Sequence, residues 1–378
     1  MTLPDRTALD LVIAAIAPIV GGAMDTSVRS RFAASGWGNV TRAAQDARLD
    51  AIFARAGLDQ GLFAGLPRLT GPDGSATPPL WAETCWSSHV ARRGVLREKL
   101  LEIVGRFNAA GLTPILLKGA RSLWTGVPGW RMMGDLDILV PGGAAAEAQA
   151  ILIAAGFATR PEAAYDADFH HEDNLYRTDL PGWVEIHRAG ASWRAEALLG
   201  TAEIDTCSTI VQVEGASARI LSAPLDLIHN LAHHHFGHWE AYNGRLAPKA
   251  MFEFAGAFSA LTGDERNALA HRAARSPLLL STIELWLAAA QDTFGIAVPA
   301  PFIIADDATQ RWQTLAPPPN TLSRIGGILA EITPAIRPAR LRRTTGGNTA
   351  LGRARLRLAV LGWAAGAWGY YYLRERWH

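Results

Sequence analysis

The stretch GDLDILV, at positions 134–140, is the most informative part of this sequence of 378 residues. The branched apolar residues in this stretch have the length and composition of a buried strand. Because side chains alternate across a strand, Asp135 and Asp137 project to the same side, about 7 Å apart. Two carboxylates held that close repel each other unless a cation lies between them. The stretch therefore favours a metal-binding strand over the ordinary alternative, a turn or a solvated strand end.

A second alternating stretch, WVEIH at positions 183–187, places Glu185 and His187 on one face of a later strand. Mg²⁺ binds hard oxygen ligands, usually one or two carboxylates together with substrate phosphates and water. Two such ions about 3.5–4 Å apart can hold the attacking and leaving oxygens of an in-line displacement. Asp135, Asp137 and Glu185 are therefore predicted to hold two Mg²⁺ ions. His187 is predicted either to orient a phosphate or acceptor or to be the structural partner of a carboxylate.

A glycine turn accompanies the carboxylates, in ILLKG at positions 115–119. Its apolar residues predict a buried strand, and residues 120–124 can begin a helix. Gly119 would let backbone N–H groups approach a phosphate at the N-terminus of that helix. An ordinary strand-to-helix turn is the alternative. Lys118 is one of three lysines in an arginine-rich chain, which favours a specific role for this side chain.

The order of the motifs along the chain resembles that of the nucleotidyltransferases of the DNA polymerase beta-like superfamily. The motifs are Leu-Lys-Gly, an arginine, Gly-Asp-x-Asp and Glu-x-His. More narrowly, residues 95–260 resemble the bacterial uncharacterised nucleotidyltransferase family, some of whose members lie beside genes for peptide or polysaccharide biosynthesis. The resemblance implies that Asp135 and Asp137 bind both metal ions. It further implies that Glu185 completes the site and helps to activate the acceptor hydroxyl.

The phosphate side of the site departs from the wider superfamily. The resemblance implies that Gly119 forms the phosphate turn and that Lys118 and Arg131 contact phosphates. The superfamily usually has Gly-Gly or Gly-Ser at this turn, and the serine hydroxyl contacts a phosphate. Here Ala120 follows the glycine, so backbone N–H groups must supply the hydrogen bonds to the phosphate. The interval to the carboxylate strand is also longer, which implies an inserted loop at residues 124–130. Arg131 ends that loop, and its planar guanidinium suits bidentate phosphate binding; a surface salt bridge is the alternative.

The reaction that the resemblance implies is transfer of an NMP or phosphoryl group from an NTP such as ATP. The acceptor would be an unidentified hydroxyl or phosphate, on a small molecule, a saccharide or a peptide. Two alternatives stay open. The chain could be a catalytically inactive NTP-binding or scaffold protein of the same fold. It could also be a toxin-like transferase that acts on RNA or protein, supported only by the arginines at 337–357; nucleic acid is not the favoured partner.

The hydrophobic periodicity predicts an α+β fold, with a small mixed β-sheet nucleotidyltransferase core flanked by helices at both ends. Residues 169–177 and 183–188 are predicted to form a hairpin within that sheet. Three domains are expected. They are an N-terminal helical region at 1–90, the nucleotidyltransferase core at 91–222 and a C-terminal helical domain at 223–378.

Five histidines lie close together on one predicted helix: His229, His233, His234, His235 and His238. The i,i+4 pairs His229–His233 and His234–His238 could share a metal, as in a zinc hydrolase. However, no glutamate lies between the pairs as it does in zinc peptidases. The favoured interpretation is a helix packed near the site, with some of the histidines hydrogen-bonded to the sheet.

Composition narrows the remaining classes. The formal charge of +1 gives no overall field that points to nucleic acid, and hydrophobic residues at 49% suffice for sizeable cores. With only Cys85 and Cys207, a disulfide framework and a cysteine zinc site are both disfavoured, and a reducing, cytoplasmic location is expected. The apolar stretch at 11–24 lacks a basic region before it, so it predicts an amphipathic helix and no signal peptide.

The C-terminal part of the chain combines seven arginines between residues 337 and 357 with an uncharged, aromatic stretch at 358–373. That stretch is short for a transmembrane helix, which needs about 20 apolar residues. A basic segment beside an aromatic helix could lie on an anionic membrane surface or bind a polyanion. The favoured interpretation is a last helix docked into the helical domain, with its arginines in solvent and no membrane contact.

Overall fold

The structure is a computed structural model. The residues that it describes are 6–63, 77–160, 171–191, 195–237 and 246–315. All of these residues lie in one compact unit, Pro4–Pro318. The arginine-rich and aromatic C-terminal segments lie outside the described residues, as does His238, and the alternatives that depend on them stay predictions. The division into three domains also stays a prediction.

Seven strands of the described residues form one mixed sheet, which confirms the predicted core. The strands are β1 (Ile115–Leu116), β2 (Asp135–Leu139), β3 (Ala158–Arg160), β4 (Asn174–Tyr176), β5 (Trp183–His187), β6 (Thr209–Val213) and β7 (Ala216–Ile220). Their order across the sheet is β3-β4-β5-β2-β1-β7-β6. The pairs β2–β5 and β1–β7 are parallel, and the other neighbours are antiparallel. The two carboxylate strands are therefore direct neighbours near the middle of the sheet.

Helices precede and follow the sheet along the chain, so the predicted α+β class is confirmed. They are α1 (Arg6–Ile16), α2 (Val28–Ser35), α3 (Trp37–Asp46), α4 (Asp50–Asp59), α5 (Pro78–Ala109), α6 (Lys118–Thr125), α7 (Ala145–Ala154), α8 (Thr201–Cys207), α9 (Ala223–Ala232), α10 (Pro248–Ser259), α11 (Gly263–Ala273), α12 (Pro277–Phe294) and α13 (Asp306–Leu315). Within the described part of the chain, no helix is both long enough and apolar enough to cross a membrane.

The apolar residues of β2 and β5 face a core that α5 covers. Leu136, Ile138, Val184 and Ile186 are fully buried there, in one cluster with Leu96, Leu100, Ile103, Val104 and Phe107 of α5. Because side chains alternate along a strand, the intervening carboxylates and His187 lie on the opposite face of the sheet. The pattern of apolar residues thus decides which face of the sheet carries the polar groups.

A network of charges ties α5 to the β4–β5 hairpin. The guanidinium of Arg177 donates to both carboxylate oxygens of Glu102, at 3.0 and 2.7 Å, and to Asp179 at 2.6 Å. The same guanidinium lies 4.3 Å from the ring centroid of Phe157. Hydrogen bonding from Arg177 lowers the pKa of Glu102 to about 2, although partial burial opposes that shift.

This network predicts a pH-dependent contribution of Glu102 to stability. The pKa of Glu102 is depressed by folding from 4.5 to about 2, so its contribution is complete above pH 4.5 and is lost as the pH falls toward 2. Glu102→Gln should lower the free energy of unfolding at pH 7 by about 1 kcal/mol, since the charges are partly screened. Urea unfolding of wild type and variant should show that difference shrinking below pH 4.5.

The matched control for this prediction is Glu98→Gln, which removes an exposed carboxylate from the same helix. It should leave the urea midpoint nearly unchanged from pH 7 down to the acid transition. A stability difference for Glu102→Gln that stays constant with pH would contradict the proposed contribution of its ionised form.

Candidate active site

The parallel register of β2 and β5 brings the polar residues of the two strands together. Asp137 lies opposite Glu185, and Leu139 lies opposite His187. The potential ligand atoms of Asp137, Glu185 and His187 all lie within 4.8 Å of one another. Among the described residues, this is the group of histidine, cysteine and acidic side chains dense enough to offer a metal three ligands. We call these three residues together with Asp135 the carboxylate cluster.

Lys118 supplies the ammonium group that contacts the cluster directly. Its Nζ lies 2.6 Å from Oδ1 of Asp137, and its side chain is 13% exposed. Burial alone would lower the pKa of Lys118, but the charges of Asp137, Glu185 and Asp135 outweigh burial and raise that pKa above its ordinary value. Lys118 is therefore charged at neutral pH and partly neutralises three carboxylates at once.

The backbone at Lys118 is unusual. This residue has φ +45°, in the left-handed region that residues other than glycine rarely adopt, at a free-energy cost of about 1–3 kcal/mol. It is separated from β1 only by Leu117 and begins α6, so the turn directs its side chain back toward Asp137. The next residue, Gly119, has little room, because a Cβ there would lie 3.0 Å from the Cβ of Met133. The predicted phosphate turn is thus a compact strand-to-helix turn.

Asp137 and His187 form a fully buried pair. Burial would raise the pKa of Asp137, but Lys118 and a hydrogen bond from His187 hold that pKa below its ordinary range, so Asp137 is ionised. Burial lowers the pKa of His187 to about 4, so this imidazole is neutral at pH 7. Because an ionised carboxylate only accepts hydrogen bonds, Nε2 of His187 carries the proton that it donates to Oδ1 of Asp137 at 3.0 Å. This geometry favours the structural-partner interpretation of His187.

Asp135 is only partly neutralised by the lysines near it. Burial and the charge of Asp137 raise the pKa of Asp135, and the charges of Lys118 and Lys249 only partly offset them. Asp135 thus keeps negative charge that Lys118 and Lys249 do not fully offset, at hard oxygen atoms of the kind that Mg²⁺ prefers. The ligand atoms that lie within 4.8 Å of one another belong to Asp137, Glu185 and His187, so metal binding by Asp135 stays a prediction.

Lys249 is a neighbour of the site that the sequence patterns did not predict. It lies in the first turn of α10, and its Nζ is 2.8 Å from Oε1 of Glu253. Its charge also acts on Asp135, more than 100 residues earlier in the chain. The signal that could have indicated it is the scarcity of lysine, since Lys118 and Lys249 are two of only three in the chain.

Arg131 ends the inserted loop and points toward the C-terminal helices. Its Nη2 donates to Oδ1 of Asn230 at 2.6 Å and lies 3.4 Å from Oε2 of Glu253. Arg93 of α5 donates to the carbonyl oxygen of Arg131 at 2.9 Å, which fixes the end of the loop. In this conformation Arg131 is held between α9 and α10, and its contact with phosphate stays a prediction.

The histidines on and after α9 make separate contacts within the protein. Nε2 of His229 lies 2.5 Å from the carbonyl oxygen of Gly190, which follows β5. Nδ1 of His235 accepts a hydrogen bond from Nε1 of Trp286 at 3.1 Å. Since α9 ends at Ala232 and residues 233–237 form a single π-helical turn, the i,i+4 spacing of one regular helix does not apply. These contacts favour the packing interpretation over a shared metal.

The first residues of the two carboxylate strands approach each other at a pair of glycines. Gly182 has φ +143°, and a Cβ there would lie 2.0 Å from the carbonyl oxygen of Gly134, which directly precedes Asp135. Gly182→Ala should therefore push β2 and β5 apart and destabilise the protein by about 1–3 kcal/mol. Thermal unfolding checks this result, with Gly134→Ala as the control, since a Cβ at Gly134 meets no atom within 4 Å. Equal stability of the two variants would contradict the steric argument.

Comparisons with known proteins identify the family of the chain. The sequence profile of a family described as uncharacterised nucleotidyltransferase matches residues 34–295. No curated protein matches the chain. Among solved structures, the solution structure of the antibiotic-resistance factor ANT(2'')-Ia is similar with 17% sequence identity and a TM-score of 0.32. The similarity covers 51% of this chain and 95% of that chain, and it is too weak to carry an argument about substrate.

Proposed function

Because the chain belongs to the uncharacterised nucleotidyltransferase family, we propose that it transfers a nucleoside monophosphate from an NTP to an acceptor hydroxyl or phosphate in a Mg²⁺-dependent reaction. The observation that supports this proposal most directly is the charge of the cluster. The ammonium of Lys118 contacts Asp137 directly, whereas burial and Asp137 raise the pKa of Asp135, so Asp135 keeps negative charge that Lys118 and Lys249 do not fully offset. Such a surplus of buried negative charge suits a polyanionic substrate only when divalent cations accompany it.

Asp135, Asp137 and Glu185 would hold the metal ions in this proposal. When bound, Mg²⁺ lowers the pKa of the attacking hydroxyl and neutralises charge on the leaving pyrophosphate. The buried His187 keeps Asp137 ionised and fixes its orientation through the 3.0 Å hydrogen bond. Glu185, with a side chain 16% exposed, is the accessible carboxylate that would accept the proton of the acceptor hydroxyl.

The turn between β1 and α6 would bind the triphosphate. Backbone N–H groups at the N-terminus of α6 provide donors for an anion, and Gly119 lets the turn pack closely against Met133. Lys118 neutralises Asp137 in the structure described here. We expect its ammonium to turn from Asp137 to the phosphates when the nucleotide binds.

Pyrophosphate release tests the proposal against the non-catalytic alternative. The purified chain is incubated with Mg²⁺, each of the four NTPs and panels of hydroxyl-bearing and phosphate-bearing acceptors. We expect release with at least one combination and none with Asp135→Asn. Mg²⁺-dependent NTP binding without pyrophosphate release on any acceptor would instead indicate an inactive NTP-binding protein.

A further inference from the structure

A cavity of about 530 Å³ is lined in part by α6, the element that begins with Lys118. The residues that line it lie mainly in the segment 127–131, which follows α6, and in α9 and α10. Arg121 of α6 also contributes. Small-molecule sites in proteins typically measure about 300–1,000 Å³, so the cavity is large enough for a ligand of one or two rings. The family assignment gives it no role.

Aromatic side chains form much of the apolar part of the lining, namely Trp130, Phe254 and Trp286. Trp286 is buried and its indole nitrogen is committed to His235. Trp130 is only half-buried, so its ring is the aromatic surface that a ligand can reach. It is held in place by the edge-to-face contact with Phe252, at 5.0 Å between ring centroids. The cavity thus offers a fixed apolar platform to one face of a ring.

The charged side chains in the lining form two pairs. Arg121 lies 3.5 Å from Asp226, and Arg131 lies 3.4 Å from Glu253. Two positive and two negative charges in pairs leave no net field for an anion or a cation. For a charged ligand, each side chain that attracts it is paired with one that repels it. A neutral polar ligand instead finds hydrogen-bond donors and acceptors side by side.

One acceptor in the lining lacks a donor. The side chain of Asp226 is 10% exposed, and no described residue donates a hydrogen bond to its Oδ1. A buried acceptor left unsatisfied is unfavourable by about 1–3 kcal/mol, so a hydroxyl of the ligand would be stabilised there. Because a hydroxyl both donates and accepts, vicinal hydroxyls match the paired carboxylates and guanidiniums. The edge of a nucleobase carries a fixed pattern instead and matches them less well.

Two elements connect the cavity with the carboxylate cluster. α6 begins with Lys118, which contacts Asp137 of the cluster, and presents Arg121 to the cavity one turn later, a spacing of about 5–6 Å between Cβ atoms. On α10, Lys249 pairs with Glu253 in the cavity lining at 2.8 Å, and its charge acts on Asp135. The cavity and the cluster are therefore connected through α6 and α10.

We propose that this cavity binds a neutral, polyhydroxylated ring, a carbohydrate, and that this carbohydrate is the acceptor of the nucleotidyl group. Binding of the ring is independent of the proposed function, whereas its role as acceptor rests on it. One ligand hydroxyl forms a bond to the α-phosphorus while the bond from that phosphorus to the leaving pyrophosphate breaks. The hydroxyl proton passes to the carboxylate of Glu185 and from there to solvent.

Saturation-transfer NMR on the full chain tests the binding. The probes are methyl pyranosides of glucose, galactose, mannose and N-acetylglucosamine, compared with glucosamine, glucose 6-phosphate and the four nucleosides. Ala257→Trp fills the cavity from its exposed lining, and Ala268→Trp is the control at an exposed position of α11. We expect a neutral pyranoside to bind best, at least 10-fold more weakly in Ala257→Trp and unchanged in Ala268→Trp. Asp226→Asn should weaken the binding about 10-fold, as for a hydrogen bond to a charged group.

Three results would overturn the assignment: no binding by any neutral pyranoside, stronger binding of the charged sugars or of nucleosides, or unchanged pyranoside binding in Ala257→Trp. Circular dichroism of each variant shows that it is folded before its binding is compared. Thermal shifts with Mg²⁺ and NTP, measured on the same samples, separate the two proposals. Pyranoside binding without any NTP shift would contradict the nucleotidyltransferase site and retain the carbohydrate cavity.

Discussion

Asp135→Asn is expected to abolish nucleotidyl transfer while leaving the protein at least as stable as wild type. Both effects have one cause, the surplus negative charge of the cluster. Burial and Asp137 raise the pKa of Asp135, and the charges of Lys118 and Lys249 only partly offset them. A neutral side chain of the same shape removes the repulsion, so the free energy of unfolding should stay the same or rise by up to about 1 kcal/mol.

The same substitution removes a charged ligand of the proposed metal site. Metal-based stabilisation of the transition state is worth several kcal/mol, and each 1.36 kcal/mol changes a rate tenfold, so activity should fall roughly a thousandfold or more. Pyrophosphate release and urea unfolding are measured on the same preparation. Asp173→Asn, at an exposed position, is the control for loss of one negative charge. Retained activity in a folded Asp135→Asn protein would contradict the role of this carboxylate.

Asp137→Asn is expected to abolish activity as well, but with a large loss of stability. Asp137 accepts from the ammonium of Lys118 at 2.6 Å and from His187 at 3.0 Å, and its side chain is 2% exposed. Without its charge, the ammonium of Lys118 stays buried with no ionised partner in direct contact. Breaking a buried ion pair in this way typically destabilises a protein by about 3–5 kcal/mol. Urea unfolding in the absence of nucleotide should show a loss of that size.

A double variant separates this explanation from a general packing defect. Lys118→Met combined with Asp137→Asn removes both charges, and the amide oxygen of Asn can still accept from His187. The double variant should therefore be more stable than Asp137→Asn alone, with a coupling energy of about 1–3 kcal/mol in the cycle of four proteins. Additive losses would contradict the account of a buried charge pair at these two residues.

Local patterns were enough to predict the central part of the fold. In β2 and β5, the alternation of apolar and acidic residues directly encodes which face is buried, and the structure has the apolar residues in the core. The edge strand β6 has no such alternation of buried and exposed residues. Because the residues of β6 are mostly exposed, the fold does not require apolar side chains at alternate positions there. Its hairpin with β7 did have a signal, since Glu214-Gly215 forms a two-residue turn with φ of +50° and +83°.

The candidate site was predictable only where its residues lie on neighbouring strands. The proximity of Asp137 and Glu185 could be predicted, because parallel pairing of their strands places them opposite each other. The contacts of Arg131 with Asn230 and Glu253 join residues about 100 positions apart and depend on how α9 and α10 pack. No local pattern encodes that packing, so the cavity and the role of Lys249 needed the structure.

Thermal unfolding of the wild type and of Asp135→Asn, with each NTP in the presence and absence of Mg²⁺, tests the central claim most directly. A ligand present at about 100 times its dissociation constant stabilises the folded protein by about 2.7 kcal/mol, which is measurable as a shift of the melting temperature. We predict a Mg²⁺-dependent shift of the wild type for at least one NTP and no shift of Asp135→Asn. The absence of a shift for every NTP in the folded wild type, or an equal shift in the variant, would contradict a nucleotide site built on these carboxylates.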